Sequence, residues 1–518
     1  MPTLLIRNAT LIDGTGSPAV TADLFAENDR ITDFGLLSAD LHADTEIDAA
    51  GKVLAPGFID IHTHADIALL SHPAHLPRVM QGVTTEVFTN CGLGFAPITG
   101  EALAIQRDYI GGLFGDDTGV SWGWRTVAEF LAEYEKKGIG TNAAYLIPHG
   151  SLRVSAMGMV ARPATTAELK KMETMLREGM NEGAWGMSTG VWYAPMASAA
   201  QEELVTLTRT AGFFATHQRD YGTKIFEATE ESLDIARKAG VPVQISHLQM
   251  NGIANKGRAG DLLALLDTAR KNGVDVTCDA YPYIAGSTFV QTLLPLWATD
   301  GGSEMILKRL ADTDTREKIV GEIESLRSDW DTYLLVGASS ASVGHYEGEY
   351  FDEIARREGV RVGEVVCKIL EAEELRACYV HFAAHEENVR EVLRWEGQMV
   401  ASDGLHLPGK THPRLYGTFP RVLAKYVREE RVISLSTAIA KMTSKPALRL
   451  GLKKRGTIAV GNFADLVLFD PETVLDVATF TDPLQYPDGI SDVFVNGIAV
   501  KREGKATGVL PGRVLRKE

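Results

Sequence analysis

Apolar and polar residues alternate along 3–12, 21–36 and 42–54, and again along 456–471 and 492–504. A period of two marks half-buried antiparallel strands. A sheet too small to bury its own core must find a partner, so the two ends of the sequence are expected to share one small β-sandwich domain, residues 1–55 plus 450–518. Between them the period changes. Short apolar runs are each followed by a helix-like stretch, as in βαβ units built around a parallel sheet. The runs are 57–64, 84–91, 143–150, 184–190, 212–218, 241–247, 274–281 and 397–404. Apolar residues recur at helical spacing along 166–182, 222–239 and 259–272. Eight such strands predict an α/β protein whose centre, 56–449, is a closed (β/α)₈ barrel. Two more runs, 333–340 and 378–385, compete as strands in the gap before the last one, so roughly 285–350 is read as an insertion beside the barrel mouth.

Composition narrows the function. The 518 residues are 45% hydrophobic and carry a formal charge of −16, a surface that repels nucleic acid and anionic membranes. No window approaches the ~20 apolar residues a membrane helix needs, and the opening MPTLLIRNATLIDG alternates instead of forming a leader's apolar run. Cys91, Cys278, Cys367 and Cys378 are irregularly spaced, which argues against a disulfide framework and for a reducing, cytoplasmic setting. The expected partner is a small-molecule substrate; a homo-oligomer is left open.

The chemistry lies at the strand ends, where barrel enzymes place it. His62 and His64 close the first expected strand, Cys91 the second, His217 the fifth, His247 the sixth and Asp403 the eighth. Singly, each has a plain reading: a hydrogen-bonded histidine, a small buried thiol, an Asp-Gly turn. Together they bring imidazole, thiolate and carboxylate to one point, the ligand set of Zn²⁺.

This arrangement resembles the amidohydrolase superfamily, whose first strand ends in His-x-His, as in PGFIDIHTH at 56–64. Many members carry a carboxylated lysine on strand four, where this sequence reads AWGMSTG. That departure, with Cys91, is similar to one branch, the N-acyl-D-amino-acid deacylases (D-aminoacylases), in which a strand-two cysteine replaces the lysine. QGVTTEVFTNCGLGFAP, HGSLR, GAWGMSTGVWYAP, ATHQRDYG, PVQISHLQMNG, DAYPYIAGST and HPRLYGTFPRVL extend the likeness over nearly the whole chain. The resemblance implies that Cys91, His217 and His247 hold one zinc tightly. It implies a second, weaker metal position at His62, His64 and Asp403, with Asp403 also the catalytic carboxylate. Arg414, Tyr281 and Ser287 stand where the branch holds the substrate's α-carboxylate, and Tyr283 shares that role or replaces Tyr281. Gln249 stands where the branch has lysine.

The implied reaction is zinc-dependent hydrolysis of N-acyl-D-amino acids. Two alternatives stand beside it: a cyclic-amide hydrolase of the hydantoinase type, and a deacylase of carboxyl-blocked derivatives. His149 and Arg153, near a strand end, read as structural polar residues. Trp192, Tyr193 and Met196 follow strand four, either as side-chain pocket or as packing.

Overall fold

The computed structural model describes residues 2–115, 117–407 and 409–517. All eight expected barrel strands are present, running parallel around one axis. They are Phe58–Asp60, Val83–Phe88, Asn142–Tyr145 continued by Ile147–Pro148, Met187–Gly190, Phe214–His217, Val243–Ile245, Val276–Ala280 and Gln398–Val400. Neighbours pair in sequence order, and the ring closes between the eighth and first strands through the bridge Thr63–Gly404 and a hydrogen bond from Asp403 N to His62 O, 2.9 Å. The expected helices appear as Thr166–Asn181, Ile225–Ala239 and Ala259–Lys271. The first starts where Thr165 and Glu168 form a capping box.

The two ends of the chain share one nine-stranded sheet, joined where Val53–Pro56 runs antiparallel to Leu466–Phe469. Both strands are buried on both faces, and their period of two serves two cores. Leu54, Leu466 and Leu468 face the interior of the β-domain, whereas Val53, Ala55, Val467 and Phe469 pack towards Phe58 and Phe419 of the barrel. Arg30, in the strand at one edge of this sheet, folds back to bridge Phe463, just ahead of Leu466–Phe469.

Two boundaries differ from the expectation. The tail assigned wholly to the β-domain sends Val514–Leu515 into the barrel, parallel to Asn142–Tyr145. The third barrel strand breaks at Leu146, which frees backbone groups along its first half, and the tail satisfies them. The excursion after the seventh strand also runs past residue 350. Gly286–Phe289, Tyr333–Val336 and Cys378–His381 form a three-stranded antiparallel sheet with Cys378–His381 in the middle. The two competing runs therefore belong to this sheet and not to the barrel. Among the described residues, no helix is long and apolar enough to cross a membrane.

Candidate active site

A cavity of about 250 Å³ opens at the C-terminal ends of the barrel strands, lined by His64, Cys91, His217, His247, Asp403 and Arg414 among others. The insertion supplies its outer wall with Arg327, Tyr333, Tyr379 and His381. Three of the inner residues sit in left-handed backbone: Cys91 at φ 57°, His247 at φ 33° and Asp403 at φ 49°. Such conformations cost on the order of 1–3 kcal/mol each in non-glycine residues and persist where packing fixes them, typically at working sites.

Two groups of metal-ligating atoms lie mutually within 4.8 Å: His62, Cys91 and His247, and His62, His64 and Asp403. Cys91 Sγ is 3.4 Å from both His62 Nε2 and His247 Nε2. Asp403 Oδ1 lies 3.3 Å from His62 Nε2 and 3.1 Å from His64 Nε2. The grouping differs from the expected one. His62 stands with Cys91 and His247 and is shared by both clusters, whereas His217 supplies an atom to neither among the described residues. His217 remains in the wall, its ring 4.5 Å from that of His247 and stacked on Trp192 at 5.6 Å.

Burial sets the protonation states. It pushes His247 down to about 4 and, with neighbouring His247, takes His217 well below the ordinary imidazole value. Those rings are neutral, the state in which an imidazole can bind a metal. Burial pushes the Cys91 thiol up to about 11 against the pull of His62. Burial would also raise Asp403, but Arg414, His62 and His64 outweigh it and hold the carboxyl well below the usual carboxylate range.

Sequence reasoning missed Asp279. Its Oδ1 lies 3.1 Å from His62 Nδ1 and accepts from His247 N at 2.7 Å, while Oδ2 accepts from Gln244 Nε2 at 2.5 Å. A carboxylate behind an imidazole fixes its tautomer and the direction of its free nitrogen. The signal was present: a charged residue inside the apolar run 274–281, one of whose neighbours in the motif was already assigned a role.

The expected carboxylate-binding residues divide. Arg414 lies over the Tyr281 ring at 4.6 Å, donates to Ser287 O at 3.2 Å and pairs with Asp403 Oδ2 at 2.9 Å. Arg414 Nε and Ser287 Oγ have no hydrogen-bond partner among the described residues. Gln249 lines the cavity with both ends of its amide in use, accepting from Tyr281 OH at 3.0 Å and donating to Tyr283 O at 2.9 Å. Tyr283 does not line the cavity. The chain bends at Pro282, and the Tyr283 ring packs against His412 and Phe480 and beneath Arg421.

The remaining expectations resolve similarly. Trp192 and Tyr193 line the cavity, while Met196 packs beneath Gly92. His149 and Arg153 are structural: Glu203 Oε1 lies 2.8 Å from His149 Nε2 and 2.5 Å from Arg153 Nη1.

The model of the amidohydrolase family (Amidohydro_3) matches residues 45–500. D-aminoacylase of Alcaligenes xylosoxydans xylosoxydans is 37% identical, covering 99% of this chain and 97% of that one. N-acyl-D-glutamate deacylase of the same organism is 35% identical over 99% and 96%. The structure of N-acyl-D-glutamate deacylase from Bordetella bronchiseptica, complexed with zinc and a phosphonate mimic of the tetrahedral intermediate, superposes with a TM-score of 0.82 at 33% identity over 99% of both chains. The chain belongs to the amidohydrolase family and, within it, to the N-acyl-D-amino-acid deacylases.

Proposed function

We propose that this protein hydrolyses the amide bond of N-acyl-D-amino acids, releasing a carboxylic acid and a D-amino acid, with zinc held by the strand-end residues. The observation that carries the reading is the convergence of Cys91 with His62 and His247 beside Asp403 in one buried cavity. The donors fit the metal: two imidazoles and a thiol in the inner group, carboxylate and imidazoles in the other, with His62 common to both. His217 is near enough to His247 to join the inner group if its ring turns. Zinc bound there supplies Lewis acidity, polarising the scissile carbonyl and making water nucleophilic near neutral pH.

The chain's own residues do the rest. Asp403, kept ionised by Arg414, takes the proton from the attacking water and returns it to the nitrogen as the C–N bond breaks. Arg414 and Ser287, side by side in the cavity wall, hold the substrate's α-carboxylate, which orients the amide over Asp403. Four unpaired cysteines fit a cytoplasmic location.

A second reading, a deacylase of carboxyl-blocked derivatives, draws on Gln249, a neutral side chain already committed to Tyr281 and Tyr283. One panel tests both: N-acetyl-D- and L-amino acids with the matching carboxamides, assayed with and without added Zn²⁺. Turnover confined to free D-acids supports the first reading, and faster turnover of carboxamides supports the second. Turnover of L-substrates alone overturns both.

A further inference from the structure

The fourth barrel strand contributes no metal-ligating atom to either cluster, yet it is packed tightly against Cys91. Thr89, Cys91 and Gly92 all have positive φ, at 63°, 57° and 68°, so the end of the second strand is a coiled turn that presents the thiol. Ser188, fully buried in the fourth strand, spans this turn with a single hydroxyl. Its Oγ donates to Thr89 O and accepts from Gly92 N, the latter at 3.0 Å. Two residues on, a Cβ at Gly190 would lie 2.3 Å from Cys91 O, so only glycine lets the strand come this close.

We propose that Ser188 is a positioning residue for the metal centre: its hydroxyl clamps the Thr89–Gly92 turn and aims Cys91 Sγ at His62 and His247. The inference rests on the reading of Cys91 as a metal ligand. Without the hydroxyl, a buried carbonyl and a buried N–H, one on each side of Cys91, lose their partner. The left-handed turn is then held only by Leu93 N to Asn90 O, 3.1 Å, and by the Asn90 amide to Val87 O, 3.0 Å, and the thiol loses its direction. A strand lacking the family's lysine thus still helps to build the site, through the backbone of its neighbour.

The test uses the full-length protein loaded with Co²⁺ and with Zn²⁺, comparing wild type, Ser188→Ala, Ser188→Thr and Cys91→Ala. Metal affinity is read by chelator competition, and thiolate ligation by the near-ultraviolet thiolate-to-cobalt charge-transfer band. Ser188→Ala is expected to weaken affinity about 10–100-fold, the range seen when groups orienting a ligand are removed, and to diminish the band. Ser188→Thr, which keeps a hydroxyl, is expected to restore both. Cys91→Ala abolishes the band. If Ser188→Ala keeps wild-type affinity and band while Cys91→Ala loses them, Ser188 has no positioning role, even if its melting temperature falls. If Cys91→Ala retains the band, the reading of Cys91 fails and the proposal with it.

Discussion

Arg414 Nη1 lies 2.9 Å from Asp403 Oδ2, while Asp403 Oδ1 faces the imidazoles of His62 and His64. One carboxylate is thus divided between a guanidinium on one side and the metal-ligating rings on the other. Under the proposed function Arg414 serves two anions: Asp403 permanently and the substrate's carboxylate during turnover. Arg414→Lys keeps a charge but not the fork, and a charge-assisted hydrogen bond is worth about 1.5–3 kcal/mol. KM for N-acyl-D-amino acids is expected to rise about 10–150-fold with zinc content unchanged. Steady-state kinetics beside metal analysis checks this, and an unchanged KM places the α-carboxylate elsewhere.

Asp403→Asn removes the proton acceptor without touching the cluster of His62, Cys91 and His247. It should retain zinc there and lose about 10²–10⁴-fold in kcat. Near-normal turnover would exclude Asp403 as the base.

Asp279 touches no cavity surface, yet it orients His62 and the backbone of His247 together. Asp279→Asn is expected to weaken zinc binding by about 10–100-fold, measured by chelator competition. A protein that binds zinc as tightly as wild type would show that the His62 ring needs no such support.

Glu203 holds His149 and Arg153, and these partners outweigh burial to bring its carboxyl down to about 2, against an ordinary value of 4.5. A carboxyl whose pKa is lower in the folded state stabilises the fold above its unfolded value, and the contribution is lost as pH falls from about 4.5 through 2. Glu203→Gln leaves Arg153 buried without its counter-charge and should cost about 3–5 kcal/mol at pH 7. The gap to wild type should narrow below pH 4.5 and close near 2, as wild type loses the same charge. Urea unfolding across this range measures it; a gap constant with pH would exclude the ion pair as the cause.

The barrel strands and the residues at their ends were legible because period and position carry that information: an apolar run closed by His62, Cys91 or Asp403 says where the side chain sits. What sequence does not carry is distance across the barrel. The resemblance set His217 beside Cys91 and put His62 in the other group, whereas His62 follows the strand that pairs directly with the one before Cys91 and lies 3.4 Å from its sulfur. The runs at 333–340 and 378–385 have the composition of barrel strands, and nothing local distinguishes an antiparallel neighbour from a parallel one. Gln249 was visible as a departure, but its role was not, because that depends on where the Tyr281 hydroxyl points and on the carbonyl that Tyr283 presents beyond the bend at Pro282.

The pairing of Val53–Pro56 with Leu466–Phe469 has a consequence for biogenesis. The first of these strands leaves the ribosome before the eight barrel strands, and the second after them. During that interval Val53–Pro56, apolar on both faces, is an unpaired edge of the kind that recruits other chains. Contacts so distant in sequence form slowly. Nascent chains stalled before residue 466 should therefore depend on chaperones far more than chains released beyond it.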